Sequence, residues 1–198
     1  TTGKLLAMSM ATVKRRVGGW VCESGRKGIS TTTPSAIKER VPIFQESWHD
    51  VPVGYGQIDT VAHCGGSLAG DFIYSCGYVD VSSGWLAYTA QWNKGMEVTK
   101  ESLRHIQSLM PFSLLHVHPD CGTKFLNDTV MTWCKKEKID VSRSRSYHKN
   151  DNGYIEQRNW HIARIWLGYD RLDNRAFLPD ITHYYDVICL YHNHLIAQ

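Results

Sequence analysis

The chain has 198 residues, 42% hydrophobic and 21% charged, the balance of a globular protein with one domain of moderate size and a small appendage. No run approaches the ~20 apolar residues a membrane span needs, and the opening "TTGKLLAMSMATVKRR" lacks the apolar stretch of a secretory signal. Net charge is only +3, yet residues 1–40 hold eight Lys and Arg against two Glu, which leaves the remainder net acidic.

A second basic stretch, 135–149, carries six cations against two acids. Charge alone reads as solvated Lys and Arg faces, with a polyanion partner as the functional alternative. The chain does not begin with Met, which predicts a piece of a longer protein. Its six cysteines form no CxxC pair and no small disulfide framework, so they read as reduced thiols, and the spacing of His63, Cys64 and Cys121 argues against a zinc site.

In chain order, residues 4–18 predict a short helix with Ser9 as its N-cap and basic residues at its end. This suits the second helix of a helix-turn-helix, over 1–20. Residues 21–50, rich in Gly, Ser, Thr and Pro, predict a linker. The domain proper is expected over 51–198. "YGQIDTVAH", "DFIYSCGYVDV" and "WLAYTAQWN" are aromatic and β-branched strand candidates, the last two joined by Ser82-Ser83-Gly84. "MEVTKESLRHIQSLM" has helical spacing, "SLLHVHP" is a brief strand ended by Pro119, "KFLNDTVMTWCKKEK" a helix and "IDVSRSR" a strand. A polar loop, "SYHKNDNG", precedes helices over about 154–167 and 176–195. The order β-β-β-α-β-α-β-α-α predicts an α/β domain, a five-stranded mixed sheet with helices on its faces.

Three acidic residues stand out by position. Asp59 sits inside an apolar strand, where a carboxylate is costly unless paired or bound. Asp120 follows a strand end, a common location for sites in sheets flanked by helices. Glu156 lies in the first turns of a helix, at the positive end of its dipole. Singly, each has a plain reading, as an edge residue, a turn and a cap. Together, three carboxylates from separate elements suit hard divalent cations such as Mg²⁺, and two such ions suit phosphoryl transfer.

The spacing from Asp59 to Asp120 to Glu156, with thirty-five residues between the last two, resembles the DDE transposase and retroviral integrase superfamily. The resemblance is nearest to bacterial insertion-sequence transposases with an integrase catalytic core. It is carried by "QIDTVAHCGGSLAGDFIYS", "VDVSSGW", "HPDCGTKFLN", "RSRSYHKNDNGYIEQRNW" and "GYDR", spread over about residues 54–171. It implies an RNase H-like fold and catalytic Asp59, Asp120 and Glu156 that bind two Mg²⁺ or Mn²⁺ ions. It further implies metal-dependent cleavage at DNA ends, strand transfer into target DNA, and a homo-oligomer on DNA. The setting it implies is bacterial, cytoplasmic and nucleoid-associated, with no membrane partner.

Two residues depart from the family's run Asp-Asn-Gly-x-Glu-Phe: Cys121 replaces the amide, and Lys124 places a cation where an acid is usual. Lys124 reads either as a phosphate contact or as a charge that weakens metal binding. In "SRSRSYHKNDNG", residues 142–153, Arg143, Arg145 and Lys149 read as phosphate contacts and Tyr147 as a base-stacking ring. Arg158 and Arg164 are expected exposed, Arg158 as a DNA contact. Trp160, Trp166 and Tyr169 are expected in the core, and His63, His116 and His118 in structural roles. The alternatives are a plain metal-dependent nuclease on the same fold and a decayed transposase that only binds DNA.

Overall fold

Strand β1, Tyr55–Ala62, is the centre of the domain in a computed structural model that describes residues 36–145 and 149–196. The helix expected over 4–18 lies outside those residues. Strands β2 (Ile73–Asp80) and β3 (Leu86–Trp92) run antiparallel on one side of β1. The short strands β4 (His116–His118) and β5 (Asp140–Val141) run parallel on the other, giving the order β3-β2-β1-β4-β5. This is the expected five-stranded mixed sheet.

Alternation along the strands divides the core in two. Ile58, Cys76, Tyr78 and Ala87 face one side. There they meet Leu103 and Ile106 of helix α1 (Met96–Leu109) and Val130, Trp133 and Cys134 of helix α2 (Asp128–Glu137). Ile73, Val79, Leu86 and Tyr88 face the other side. They meet Ile155 of helix α3 (Gly153–Asn159), Ile162 just beyond it, and Ile181, Tyr185 and Cys189 of helix α4 (Leu178–Leu195). The β2–β3 turn is fixed by buried Asp80, whose carboxylate accepts hydrogen bonds from Ser83 N, Ser83 Oγ and Gly54 N at 2.8, 2.6 and 2.6 Å.

Several elements differ from expectation for local reasons. Helix α2 starts at Asp128 rather than at 124, because Asn127 caps it by accepting from Val130 N at 3.0 Å. That leaves residues 123–127 as a turn and frees Lys124 from the helix axis. The helix expected over 154–167 is α3 followed by a π-helical turn, Trp160–Arg164, and a last turn, Ile165–Leu167, that ends at Gly168 with φ of 66°. Trp160 and Trp166 are 51% and 64% exposed, not core residues: the buried side of this segment is taken by Ile155, Asn159, Ile162 and Ala163. Arg164 is half-buried rather than exposed and lies over the Tyr169 ring at 4.6 Å.

Residues 41–50, the end of the segment expected as a linker, lie along the β5 edge. Val41 is buried, Arg143 N donates to Pro42 O at 2.9 Å, and Phe44 N donates to Arg143 O at 3.2 Å. Phe44 stacks on Trp48 with ring centroids 4.1 Å apart, and both rings lie against His116 and His118. Covering an edge in this way removes unpaired backbone groups from solvent. Among the described residues, no helix is long and apolar enough to cross a membrane.

Candidate active site

Strand pairing places the first two carboxylates. Tyr55, Gly56 and Gln57 pair with His116, Val117 and His118, an offset of 61 residues (118 − 57), and Asp120 follows Asp59 by the same 61. Asp120 therefore leaves β4 at the level Asp59 occupies on β1. The exit is set by Pro119 and by a tight turn in which Asp120 Oδ1 accepts from Gly122 N at 2.9 Å. Paired β4 covers only Tyr55–Gln57, so β1 has no ladder partner beside Asp59 and Thr60 on that side.

Helix α3 is tied to the same strand face. Gln57, two residues before Asp59 and on its face, accepts from Tyr154 N and Ile155 N at 3.1 and 3.2 Å and donates through Nε2 to Asp151 O at 2.9 Å. It thereby satisfies two of the amides that a helix N-terminus leaves unpaired. One turn on, Asn159 Nδ2 donates to Asp59 Oδ2 at 3.1 Å, and Asn159 Oδ1 accepts from the buried Tyr88 hydroxyl at 2.9 Å. The Tyr88 ring has room because Gly77, the β2 partner of Asp59, lacks a side chain: a Cβ there would sit 2.2 Å from the ring. Glu156, three residues before Asn159, is thus carried on a helix pinned at both ends to β1, and its side chain is exposed.

Asp59 is electrostatically coupled to the other two carboxylates. Asp59, with a quarter of its side-chain surface exposed, has its pKa pushed up to about 6. Burial is the main cause, and the charges of Asp120 and Glu156 push the same way. Lys124 and a hydrogen bond from the Thr60 backbone act in the opposite sense.

Lys124 is the unexpected member. It is only 5% exposed, its Nζ donates to Thr60 Oγ1 at 2.5 Å, and it stands 3.8 Å from Asp59 Oδ1. Its burial leaves the ammonium no open face for a DNA backbone, so the phosphate contact expected of it gives way to an internal charge contact. Cys121, the other departure, turns its thiol to Ser144 O at 3.0 Å.

The other expected contacts are placed as follows. Arg143 turns inward, with Nε donating to Val41 O and Nη1 to Ser144 O at 3.1 and 3.3 Å. Exposed Arg145 makes a fork to Asp151, with Nε–Oδ2 of 3.1 Å and Nη2–Oδ1 of 2.8 Å, which braces the turn before α3. Arg158 is half-exposed on α3. Tyr147 and the Lys149 side chain lie outside the described residues. The three histidines are buried and hydrogen-bonded to serines. His63 bonds Ser75 at 2.7 Å, and His116 and His118 share Ser142 Oγ at 2.9 and 2.7 Å. Burial lowers the pKa of His63 and His116 to about 4 and of His118 to about 3, so all three are neutral near pH 7.

Gln57, Tyr88, Asn159 and Arg171 escaped the sequence reading. The first and third had a signal: Gln57 alternates with Asp59 on a strand, and Asn159 lies one turn after Glu156. Arg171, in "GYDR", holds the loop after β1 by donating to the carbonyls of Cys64, Ser67, Ala69 and Asp71 at 3.3, 2.9, 2.6 and 3.4 Å.

The donor set tests the fit of divalent ions. Asp59 and Asp120 offer the hard carboxylate oxygens that Mg²⁺ and Mn²⁺ take. Among the described residues, however, no group of three or more His, Cys, Asp or Glu side chains is gathered so as to hold a metal. Asp59 Oδ2 already accepts from Asn159, and Oδ1 faces the Lys124 ammonium. An ion here would be held by Asp59 and Asp120, and the Lys124 ammonium would disfavour a second one at Asp59 Oδ1.

Comparison with known proteins gives the class of fold. The chain superposes on a chain of the simian T-cell lymphotropic virus intasome in complex with PP2A regulatory subunit B56 gamma, with a TM-score of 0.58 and 16% identity, over 89% of this chain and 59% of that one. It superposes on the catalytic core domain of BIV integrase with a TM-score of 0.53 and 15% identity, over 74% of this chain and 88% of that one. The fold is therefore RNase H-like, of the kind seen in integrase catalytic cores. In sequence, the chain is 34% identical over 196 residues to the uncharacterized protein y4rM of Sinorhizobium fredii, covering 96% of this chain and 55% of that protein. It thus spans about half the length of that relative. No protein-family model matches it.

Proposed function

We propose that this chain carries the catalytic core of a DNA transposase or integrase of the DDE type, which cleaves DNA ends and transfers strands to target DNA. The observation that carries the reading is that Asp120, two residues past the parallel strand β4, matches the register of Asp59 on β1, while α3, which bears Glu156, is held to Asp59 through Asn159. Asp120 and Glu156 both act electrostatically on Asp59, which supports the reading.

A Mg²⁺ or Mn²⁺ ion held by Asp59 and Asp120, with Glu156 beside them, would polarise a phosphate oxygen and lower the pKa of attacking water. The chain's own residues supply the rest. Asn159 and Gln57 hold the Asp59 carboxylate and the helix in register. Exposed Arg145 and half-exposed Arg158 lie on the segment around α3, where a phosphate backbone would pass. The protein acts as a homo-oligomer on paired DNA ends in this reading.

A strand-transfer assay with labelled end and target duplexes tests it. Joined products are expected from the parent chain, and none above background from Asp120→Asn. Full strand transfer by Asp120→Asn would remove the acidic site from the mechanism. Cleavage without joining would instead favour a plain nuclease, and salt-sensitive DNA binding with neither would favour a decayed transposase.

A further inference from the structure

We propose that the ammonium of Lys124 is a built-in cation that replaces one divalent ion, so that the acidic site holds one Mg²⁺ or Mn²⁺ where a two-ion site would hold two. The inference rests on the acidic-site reading above and specifies how that site is charged.

The first support is burial. A lysine is almost never fully buried unless it is paired, and Lys124, 5% exposed, is buried against a strand that carries an acid. Its Nζ donates to Thr60 Oγ1 and faces Asp59 Oδ1 at 3.8 Å, at the stretch of β1 beyond its pairing with β4. Thr60 and Asp59 point to opposite faces of the sheet, so the ammonium bridges the packed face and the site face.

The second support is the sharing of Asp59. One oxygen accepts from Asn159 and the other faces the ammonium. An ion approaching Oδ1 would meet a fixed positive charge in a poorly hydrated place, where screening is weak. A tethered ammonium is present at every ion concentration, so it neutralises Asp59 without depending on supply.

The backbone keeps Lys124 there. Asn127 caps α2 and its Nδ2 donates to Lys124 O at 2.7 Å, while the neighbouring Phe125 and Leu126 are buried. The turn is anchored on both sides of the lysine, and the side chain is directed by packing rather than by the ion pair alone.

Mn²⁺ titration of the full chain by calorimetry tests the proposal, comparing the parent with Lys124→Gln and Asp120→Asn. The parent is expected to bind one Mn²⁺ per chain, Lys124→Gln two, and Asp120→Asn none. In the absence of divalent ions Lys124→Gln is expected to melt below the parent, and Mn²⁺ is expected to close that gap. Two ions on the parent would overturn the proposal and leave the acidic site standing. One ion on both parent and Lys124→Gln would also overturn it, and Lys124 would be an ordinary ion-pair partner. No binding by either would remove the acidic-site reading and the proposal with it. Should Lys124→Gln fail to fold, the parent's stoichiometry alone decides: one ion supports the proposal and two contradict it.

Discussion

The two faces of β1 are built from alternate residues of one strand and do different work. On one, Ile58 packs with Cys76 and Tyr78 under α1 and α2, an apolar layer whose contribution is burial. On the other, Gln57 and Asp59 hold α3 through side-chain hydrogen bonds, and Tyr88 and Asn159 extend the network. The first face tolerates any well-shaped hydrophobic set. The second depends on donors and acceptors that must all be matched, because an unpaired polar group in that place is costly. The lesson is that a single period-2 strand supplies both the anchor of a core and the frame of a site. Lys124 touches both, through Thr60 and Asp59.

Truncation separates the faces most sharply. Ile58→Ala and Ile155→Ala should each cost about 2–5 kcal/mol, as buried truncations do, measured by urea unfolding. At a temperature where both remain folded, only Ile155→Ala should lower metal-dependent DNA cleavage, since Ile155 seats the helix that carries Glu156 and Asn159. Equal losses of activity would mean that the faces are not separable.

A smaller effect is expected at Gly77. Gly77→Ala pushes a methyl into the Tyr88 ring, with an overpacking cost of about 1–3 kcal/mol. Because Tyr88 supports Asn159, the variant should also lose Mn²⁺ affinity. Combining it with Asn159→Ala should add little further loss of affinity, and additive losses would show that Tyr88 does not act through Asn159.

The smallest effect concerns pH, at the β4–β5 edge away from the acids. His116 titrates near 6.5 when unfolded and near 4 when folded, because burial disfavours its charge, against the milder pull of Asp140. A depressed folded pKa means that the unfolded state takes up the proton first. The contribution is therefore whole above about 6.5 and is lost as pH falls toward about 4. Thermal melts across that window should show stability falling with acid in the parent and falling less steeply in His116→Gln. Parallel curves would remove His116 from the acid response.

Much of the architecture was legible in the sequence, and for physical reasons. Aromatic and β-branched runs marked β1, β2 and β3, helical spacing marked α1, and a carboxylate inside an apolar strand marked Asp59. What was not legible depends on long-range pairing. Residues 41–50 look like a linker by composition, yet Phe44 and Trp48 find His116 and His118 far along the chain. Trp160 and Trp166 look like core by residue type, but a π-helical turn gives the buried side to Ile162 and Ala163. Lys124 reads as a cation near a site, and nothing local shows that the Asn127 cap shortens α2 and turns the ammonium inward. Asn159 was hidden because its partner, Asp59, lies 100 residues earlier.

The central claim is that the site face of β1 works on DNA phosphates. Its most direct test is cleavage of an end-labelled DNA duplex in Mn²⁺ by the parent chain and by Asp59→Asn at matched folded concentration. The account predicts Mn²⁺-dependent products ending in 3′-OH from the parent and none from Asp59→Asn. Equal products from both, or DNA bound but uncut by the parent in Mn²⁺, would contradict it.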